Sequence, residues 1–295
     1  MHTPENTKPR RKRDVRCPVS RIEMTPLKER ILAAVLVCRL ATGDQLPPLG
    51  VTAKVRNEVL RALFDHGYLD RIFPTQSPFS SPVYHIGKKG VPIAVAALAK
   101  RGIELSADEL AATVRKPPLS QLDHALAIAD VHSALVLSAR EDAATGFLPE
   151  AAVRIEYEAR SAKSQKWQAR CFAPDGGLIA ADAEGEESAV FLEIDICTVS
   201  LARFSSKCEA FSHVRSSGLA EKRLGMPADA LAVVTISERR LESLRRVAGK
   251  SGGSGIILST LSEIKELGVA AAWTESNTGR RGTLADHIEL KGKQR

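Results

Sequence analysis

Aromatic residues and paired cysteines are scarce in this sequence. Only 4% of the 295 residues are Phe, Trp or Tyr, so a hydrophobic core must be built mainly from Ala, Leu, Val and Ile. The five cysteines form no CxxC pair, and their number is odd. This pattern is typical of reduced thiols in a cytosolic protein, and it argues against a disulfide framework or a structural zinc site.

Long apolar segments are missing as well. The chain has no uninterrupted apolar run of about 18 residues, so we predict no membrane span. Its N-terminus is polar where a secretory signal would have an apolar core, and we therefore expect a cytoplasmic protein. With 44% hydrophobic and 26% charged residues, the chain is long enough for two globular domains of ordinary size.

Positive charge is concentrated in the first part of the chain. Residues 1–120 contain 20 Lys and Arg against 11 Asp and Glu, whereas the remainder contains 22 against 24. We predict a disordered basic arm over residues 1–20, which would attract polyanions without sequence preference. The alternative is a solvated tail that only aids solubility. The arm residues expected to contact DNA are Arg10, Arg11, Lys12 and Arg13.

Three helical segments followed by two strands are predicted after this arm. The first helix begins at Thr25-Pro26, a capping box spans Thr42 to Gln45, and Thr52 caps the third helix. Alternating strands at Tyr68–Phe73 and Val83–Ile86 follow. This order is typical of a winged helix-turn-helix domain.

The boundaries of this first domain are predicted at residues 21 and 118, because Lys116-Pro117-Pro118 interrupts the helical pattern. In a winged helix-turn-helix the third helix enters the major groove, where Lys and Arg hold phosphates and Arg or Asn reads base edges. The alternatives are a solvated helix face, or a winged helix used for protein contacts. The candidate DNA-binding residues are Thr52, Lys54, Arg56, Asn57 and Arg61, with Lys88 and Lys89 beyond the wing.

An α/β domain is predicted for residues 119–275, followed by a polar tail over residues 276–295. A long helix from Leu122 to about Arg140 precedes three strands, and helices then alternate with apolar strands. The expected fold class is α/β, or α+β for the whole chain. We expect the second domain to have a mixed central sheet.

Three carboxylates are predicted to converge in this second domain. Asp175 lies at a turn before one strand, and Glu193 and Asp195 alternate onto the same face of the next. Such a cluster repels itself unless a divalent cation, a shared proton or a cationic partner neutralises it. The alternative is that Glu193 and Asp195 form the solvated face of a half-buried strand.

The spacing of these acids resembles the core of PD-(D/E)XK nucleases. In that core two acids bind metal, and a Lys two residues after the second acid orients the attacking water. Asp195 stands at that Lys position here, and Lys207 of the following helix is the candidate replacement. The resemblance implies a restriction-endonuclease-like fold, with Asp175, Glu193, Asp195 and Lys207 as candidate catalytic residues. It makes Asp175, Glu193 and Asp195 candidate Mg²⁺ ligands.

The whole chain resembles the replication-relaxation family of plasmids and conjugative elements over about residues 22–250. The segments that carry the resemblance are TPLKERILAAVL, LFDHGYLDRIF, VYHIGKKG, DHALAIADVHSAL, APDG and FLEIDICT, followed by Lys207. Members of this family join a winged helix to a nuclease-like domain. The resemblance thus implies a mobile-element protein that binds double-stranded DNA and acts in plasmid replication, relaxation or their regulation.

The role of the C-terminal domain stays open between two hypotheses. It is either a Mg²⁺-dependent endonuclease or nickase, or a domain that has lost catalysis and serves as an interaction module. A winged-helix transcription regulator is a further alternative for the whole protein. The expected partners are double-stranded DNA and a relaxase, replication initiator or other element-encoded protein. The Ala-rich helix predicted over residues 93–105 suggests a homodimer.

Overall fold

We describe the protein from a computed structural model. The structure describes residues 15–18, 21–46, 52–74, 81–136, 146–160, 166–181, 187–251, 254–268 and 271–287. The basic residues predicted to contact DNA from the N-terminal arm, Arg10 to Arg13, lie outside the described residues, as does the predicted helix end near Arg140.

The chain has a mixed α/β fold. The α-helices are α1 (Pro26–Cys38), α2 (Ala53–Asp65), α3 (Gly90–Ala99), α4 (Ala107–Val114), α5 (Leu122–Val136), α6 (Glu150–Val153), α7 (Leu201–Ser216), α8 (Leu219–Leu224), α9 (Glu238–Lys250) and α10 (Leu261–Leu267). The strands are β1 (Ala41–Thr42), β2 (Leu69–Ile72), β3 (Val83–Ile86), β4 (Gly146–Pro149), β5 (Ile155–Arg160), β6 (Trp167–Phe172), β7 (Gly176–Ala181), β8 (Glu187–Asp195), β9 (Ala228–Thr235), β10 (Ile256–Thr260), β11 (Trp273–Glu275) and β12 (Arg281–Gly282).

The N-terminal helices and strands follow the local signals of the sequence. The backbone N–H of Thr42 donates to Gln45 Oε1 at 2.9 Å, which completes the capping box of a 3-10 helix over Gly43–Gln45. The Thr52 hydroxyl accepts from the backbone N–H of Val55 at 3.4 Å and so caps α2. Strands β1, β3 and β2 form an antiparallel sheet in that order.

A seven-stranded mixed sheet forms the centre of the C-terminal part, in the order β12-β11-β10-β9-β8-β7-β4. Strands β8, β9 and β10 are parallel to one another, and β7 pairs antiparallel with β8. Apart from its first residue, β8 is buried along its whole length. Its middle, Ala189–Leu192, is apolar on both faces, as expected of a strand covered on both sides, whereas Glu193 and Asp195 are buried charged residues. The predicted mixed α/β architecture is confirmed.

Several elements differ from the sequence expectations. Helix α3 ends at Ala99 instead of about Leu105, because Gly102 takes a φ of 74° and the backbone N–H of Ile103 bonds Leu98 O. The short helix α6 was not predicted from the sequence; it ends at Val153, and strand β5 begins two residues later at Ile155. Strand β12 lies within the expected polar tail and pairs with β11.

The N-terminal helices share one hydrophobic cluster with the central sheet. Gln45 Nε2 donates to the backbone O of Leu126 and to Asp130 Oδ1, both at 2.8 Å, and this fixes the first half of the chain on α5. An ion pair between Arg223 and Glu109 joins α8 to α4. None of the helices described by the structure combines the length and the apolar character that crossing a membrane requires.

Candidate functional site

The acidic residues of the sequence motif lie at one edge of the central sheet. Gly176 at the start of β7 pairs with Leu192 near the end of β8, and the backbone N–H of Asp175 donates to Leu192 O at 2.8 Å. Because the two strands are antiparallel, the start of β7 meets the carboxyl end of β8. The topology therefore brings Asp175 beside Glu193, although 18 positions separate them in sequence.

Asp175 is held by two donors. Its Oδ2 accepts from the backbone N–H of Ile194 at 2.7 Å, and its Oδ1 lies 2.9 Å from His124 Nε2 on α5. The side chain is 18% exposed, so it retains a solvent-facing part. Asp175 thus bridges the edge of the sheet to α5 and still faces the open space in front of it.

Glu193 is paired with Lys207. Lys207 Nζ lies 2.5 Å from Glu193 Oε2 and donates to the backbone O of Ala173 at 3.1 Å. Burial, aided by the negative charge of Asp175, raises the pKa of Glu193 to about 8, against the opposing effect of Lys207 and His124. Burial and the charge of Asp175 thus favour the neutral form of this carboxyl, whereas Lys207 and His124 favour its charged form.

His124 also belongs to this cluster, although no feature of the sequence predicts it as a site residue. Burial alone would lower the pKa of His124, but the hydrogen bond and charge of Asp175, with the charge of Glu193, raise it overall. A protonated His124 pairs with Asp175 as Lys207 pairs with Glu193. No local signal marks this residue, since only the fold brings the first turn of α5 to the turn before β7.

Asp195 is bound by a different set of donors from the other two carboxylates. Its Oδ2 accepts from Arg240 Nη2 at 2.7 Å and Nε at 3.1 Å, and its Oδ1 accepts from the backbone N–H of Cys197 at 2.6 Å. The side chain is 2% exposed. Arg240 also donates to the backbone O of Val199 at 2.5 Å, so this pair fixes the turn after β8.

An open cleft of about 440 Å³ lies in front of the Asp175–Glu193 edge. It is bounded by the end of α1, the start of α5 and the start of α7, so both halves of the chain contribute to its walls. The ionisable groups that line it are Arg39, His124, Glu150, Asp175, Glu193, Arg203 and Lys207. Asp195 and Arg240 are not among its lining residues.

The donor set of the cleft suits a divalent cation in part. Asp175, Glu193 and the carbonyl of Ala173 are hard oxygen ligands of the type that Mg²⁺ binds. Lys207 already contacts two of these oxygens, and Asp195 is fully engaged by Arg240. Within the described ranges, no group of three or more His, Cys, Asp or Glu is arranged to hold a metal ion. Asp175 and Glu193 line the cleft and carry oxygens of the type that Mg²⁺ binds, whereas Asp195 is held by Arg240 outside the cleft lining. Binding of Mg²⁺ at this cleft stays a prediction.

The predicted DNA-binding residues of the N-terminal half fall into two groups. Lys54, Asn57, Lys88 and Lys89 are exposed. Two arginines are instead bound within the protein, because Arg56 pairs with Asp44 at 2.6 Å and Arg61 pairs with Asp65 at 2.7 Å. Thr52 is exposed and serves as the cap of α2.

A group of arginines surrounds the ring of Phe64 at the end of α2. The guanidinium carbon of Arg71 lies 3.9 Å from the ring centroid, and that of Arg16 lies 4.5 Å from it. Arg16 pairs with Asp70, whereas none of the ion pairs between described residues involves Arg71. Burial lowers the pKa of Arg71, and the charge of Arg61 adds to this effect. The sequence predicts Arg71 only as part of a strand and shows no sign of its contact with the ring of Phe64.

Comparison with known proteins gives one match. A model of the replication-relaxation family matches residues 32–228, a region that includes α2, the cleft and the Asp175–Glu193 edge. Neither the curated proteins nor the solved structures contain a match to this chain. The family match covers more than half of the sequence, and the chain therefore belongs to the replication-relaxation family.

Proposed function

We propose that this protein binds double-stranded DNA of a mobile genetic element through its N-terminal half and acts in replication or relaxation of that DNA. The observation that carries this proposal is the open polar side of α2, on which Lys54 and Asn57 are exposed. The order of α1, the 3-10 helix, α2 and the β2–β3 hairpin supports a winged helix-turn-helix, in which α2 is the helix that enters the major groove.

The charge around α2 supports the same proposal. Lys54 lies at the first turn of α2, and Lys88 and Lys89 precede α3, with the Lys89 side chain close to Gly67 beyond the last turn of α2. Positive charge therefore flanks both ends of the helix. Arg16 packs on Phe64 near the end of α2, and the basic residues Arg10 to Arg13 precede it in sequence. Such an arrangement suits contacts to successive phosphates of a duplex.

A triple substitution tests this proposal in the full-length protein. Lys54→Ala, Lys88→Ala and Lys89→Ala together are expected to weaken binding to a fluorescent duplex by at least about tenfold at moderate salt, since each removes one phosphate contact. Fluorescence anisotropy measures the affinity. A matched control removes Arg245, Arg246 and Lys250 from α9, where we expect little effect. Equal losses in both variants would show that the charge effect is not specific to the α2 surface.

The cleft supports a second candidate function, a Mg²⁺-dependent endonuclease or nickase. Asp175 and Glu193 would hold the ion, which when bound supplies Lewis-acid activation of a phosphate. In this proposal Lys207 would bind a phosphate oxygen, and His124, whose Nε2 lies 2.9 Å from Asp175 Oδ1, would hold a proton. Asp195 would act indirectly in this reading, since its pair with Arg240 fixes the turn that follows β8.

Nicking of supercoiled plasmid by the full-length protein tests this candidate. If the cleft is catalytic, Mg²⁺ or Mn²⁺ should produce open circles, and Asp175→Asn or Glu193→Gln should each lower the rate by at least about 100-fold, because the loss of a ligand charge weakens the metal site. Arg245→Ala is a control far from the cleft. Nicking that both variants retain would show that the cleft is not responsible for it, and absence of nicking would favour the interaction module.

A further inference from the structure

We propose that the exposed tryptophan of the β5–β6 ribbon binds an unpaired base of single-stranded DNA. Strands β5 and β6 form a two-stranded antiparallel sheet separate from the central sheet. Trp167 is 62% exposed at the end of this ribbon, whereas Trp273 is completely buried. An exposed indole offers a flat apolar face on which a planar group of a partner can stack.

Trp167 contacts its partner residue across the ribbon, and the far end of the ribbon is packed into the core. Arg160 lies directly opposite Trp167 in the strand register, with its guanidinium carbon 5.4 Å from the ring centroid. At the other end of the ribbon Ile155 and Phe172 are buried in the main core. One end of the ribbon is therefore anchored, while the five residues from Trp167 to Cys171 are all exposed.

The charge around Trp167 suits a nucleic acid. Arg160 faces Trp167 across the ribbon and Lys166 precedes it, whereas Arg170 is exposed on the opposite face. The exposed acidic residues of β5 are Glu158, on the face of Trp167, and Glu156, which pairs with Arg154 at 3.3 Å. The two strands and the residues next to them together carry four cations, Arg154, Arg160, Lys166 and Arg170, against these two acids. An aromatic platform flanked by cations is the arrangement by which proteins bind single strands without sequence preference.

Single-stranded DNA fits this surface better than a duplex does. Bases within a duplex stack on one another, so their faces are closed to a protein side chain, whereas an unpaired base can stack on the indole. Strand β6 also leads directly into Ala173 and Asp175 at the cleft. At about 3.3 Å per residue, Trp167 lies roughly 17 Å along the strand from Phe172. Single-stranded DNA of a few nucleotides can cover that length.

Intrinsic fluorescence of the full-length protein provides the test, because only Trp167 of the two tryptophans is exposed. Addition of oligo(dT) at low salt is expected to quench the emission, and Trp167→Phe should abolish the quenching because only buried Trp273 remains. In fluorescence anisotropy, Trp167→Ala should bind oligo(dT) about tenfold more weakly, and Trp167→Phe should lose less because its ring still stacks.

Two controls separate stacking from charge. An abasic strand of equal length should bind the wild-type protein about as weakly as oligo(dT) binds Trp167→Ala. Leu119→Ala, at another exposed apolar residue, should bind oligo(dT) like the wild type. The proposal is overturned if the wild type does not bind oligo(dT), if Trp167→Ala binds it as tightly, or if the abasic strand binds as well as oligo(dT). Duplex binding by Trp167→Ala should stay unchanged, so the failure of this site is distinguishable from a failure of duplex binding through α2.

Discussion

Arg240→Ala is expected to lower the free energy of unfolding by about 3 kcal/mol, because it leaves a buried carboxylate without its cation. Asp195 is 2% exposed and receives two hydrogen bonds from Arg240. After the substitution its remaining donor among these contacts is the backbone N–H of Cys197. Arg240 also holds the backbone O of Val199, so the same change loosens the turn after β8. Urea unfolding followed by circular dichroism measures the loss.

The same helix supplies a matched control. Arg245 pairs with Glu242 at the surface of α9, and Arg245→Ala should change the free energy of unfolding by less than about 1 kcal/mol, as is usual for exposed ion pairs. The double variant Asp195→Ala with Arg240→Ala should lose less than the sum of the two single variants, because no unpaired buried charge remains. Equal effects of Arg240→Ala and Arg245→Ala would contradict the buried pair.

Asp175→Ala is expected to destabilise the protein by about 2 kcal/mol, since it leaves the backbone N–H of Ile194 and the ring of His124 without their acceptor. Asp175→Asn keeps an oxygen for the backbone N–H of Ile194 and should cost less. Comparison of Asp175→Ala with Asp175→Asn separates the loss of the oxygen acceptor from the loss of the negative charge. Chemical denaturation of both variants at one pH gives the two free energies.

The charge of Asp175 also controls the titration of His124. In the wild type the pKa of His124 is raised above its ordinary value of 6.5, and in Asp175→Asn burial should bring it below that value. A raised pKa in the folded state stabilises the fold fully below about pH 6.5, and this contribution is lost as pH rises through the pKa of folded His124. An NMR titration of the imidazole measures both values. An unchanged pKa in Asp175→Asn would contradict the pair.

Local patterns predicted most helices and strands correctly. Thr52 caps α2 as the sequence predicts, and Ser106 before α4 and Ser237 before α9 cap their helices in the same way. These signals act over three or four residues, so they can be recognised without the rest of the fold. The same holds for Asp175 at the turn before β7.

Contacts between distant segments could not be predicted in this way. Glu193 and Asp195 share a face of β8, yet one pairs with Lys207 of α7 and the other with Arg240 of α9. The alternation of a strand gives the direction of a side chain but not the cation that it meets. His124 and Arg71 were missed for the same reason, since their neighbours come from other parts of the chain.

Binding of a duplex at the α2 surface should depend steeply on salt, because each phosphate contact releases a counterion from the DNA. For the full-length wild type, the logarithm of the affinity should fall linearly with the logarithm of the salt concentration, with a slope of about −5 or steeper for six or more contacts. Replacement of Lys54, Lys88 and Lys89 by Ala should reduce that slope by about one for each residue that contacts a phosphate. Salt-insensitive binding, or an unchanged slope in the triple variant, would contradict a duplex bound at the α2 surface.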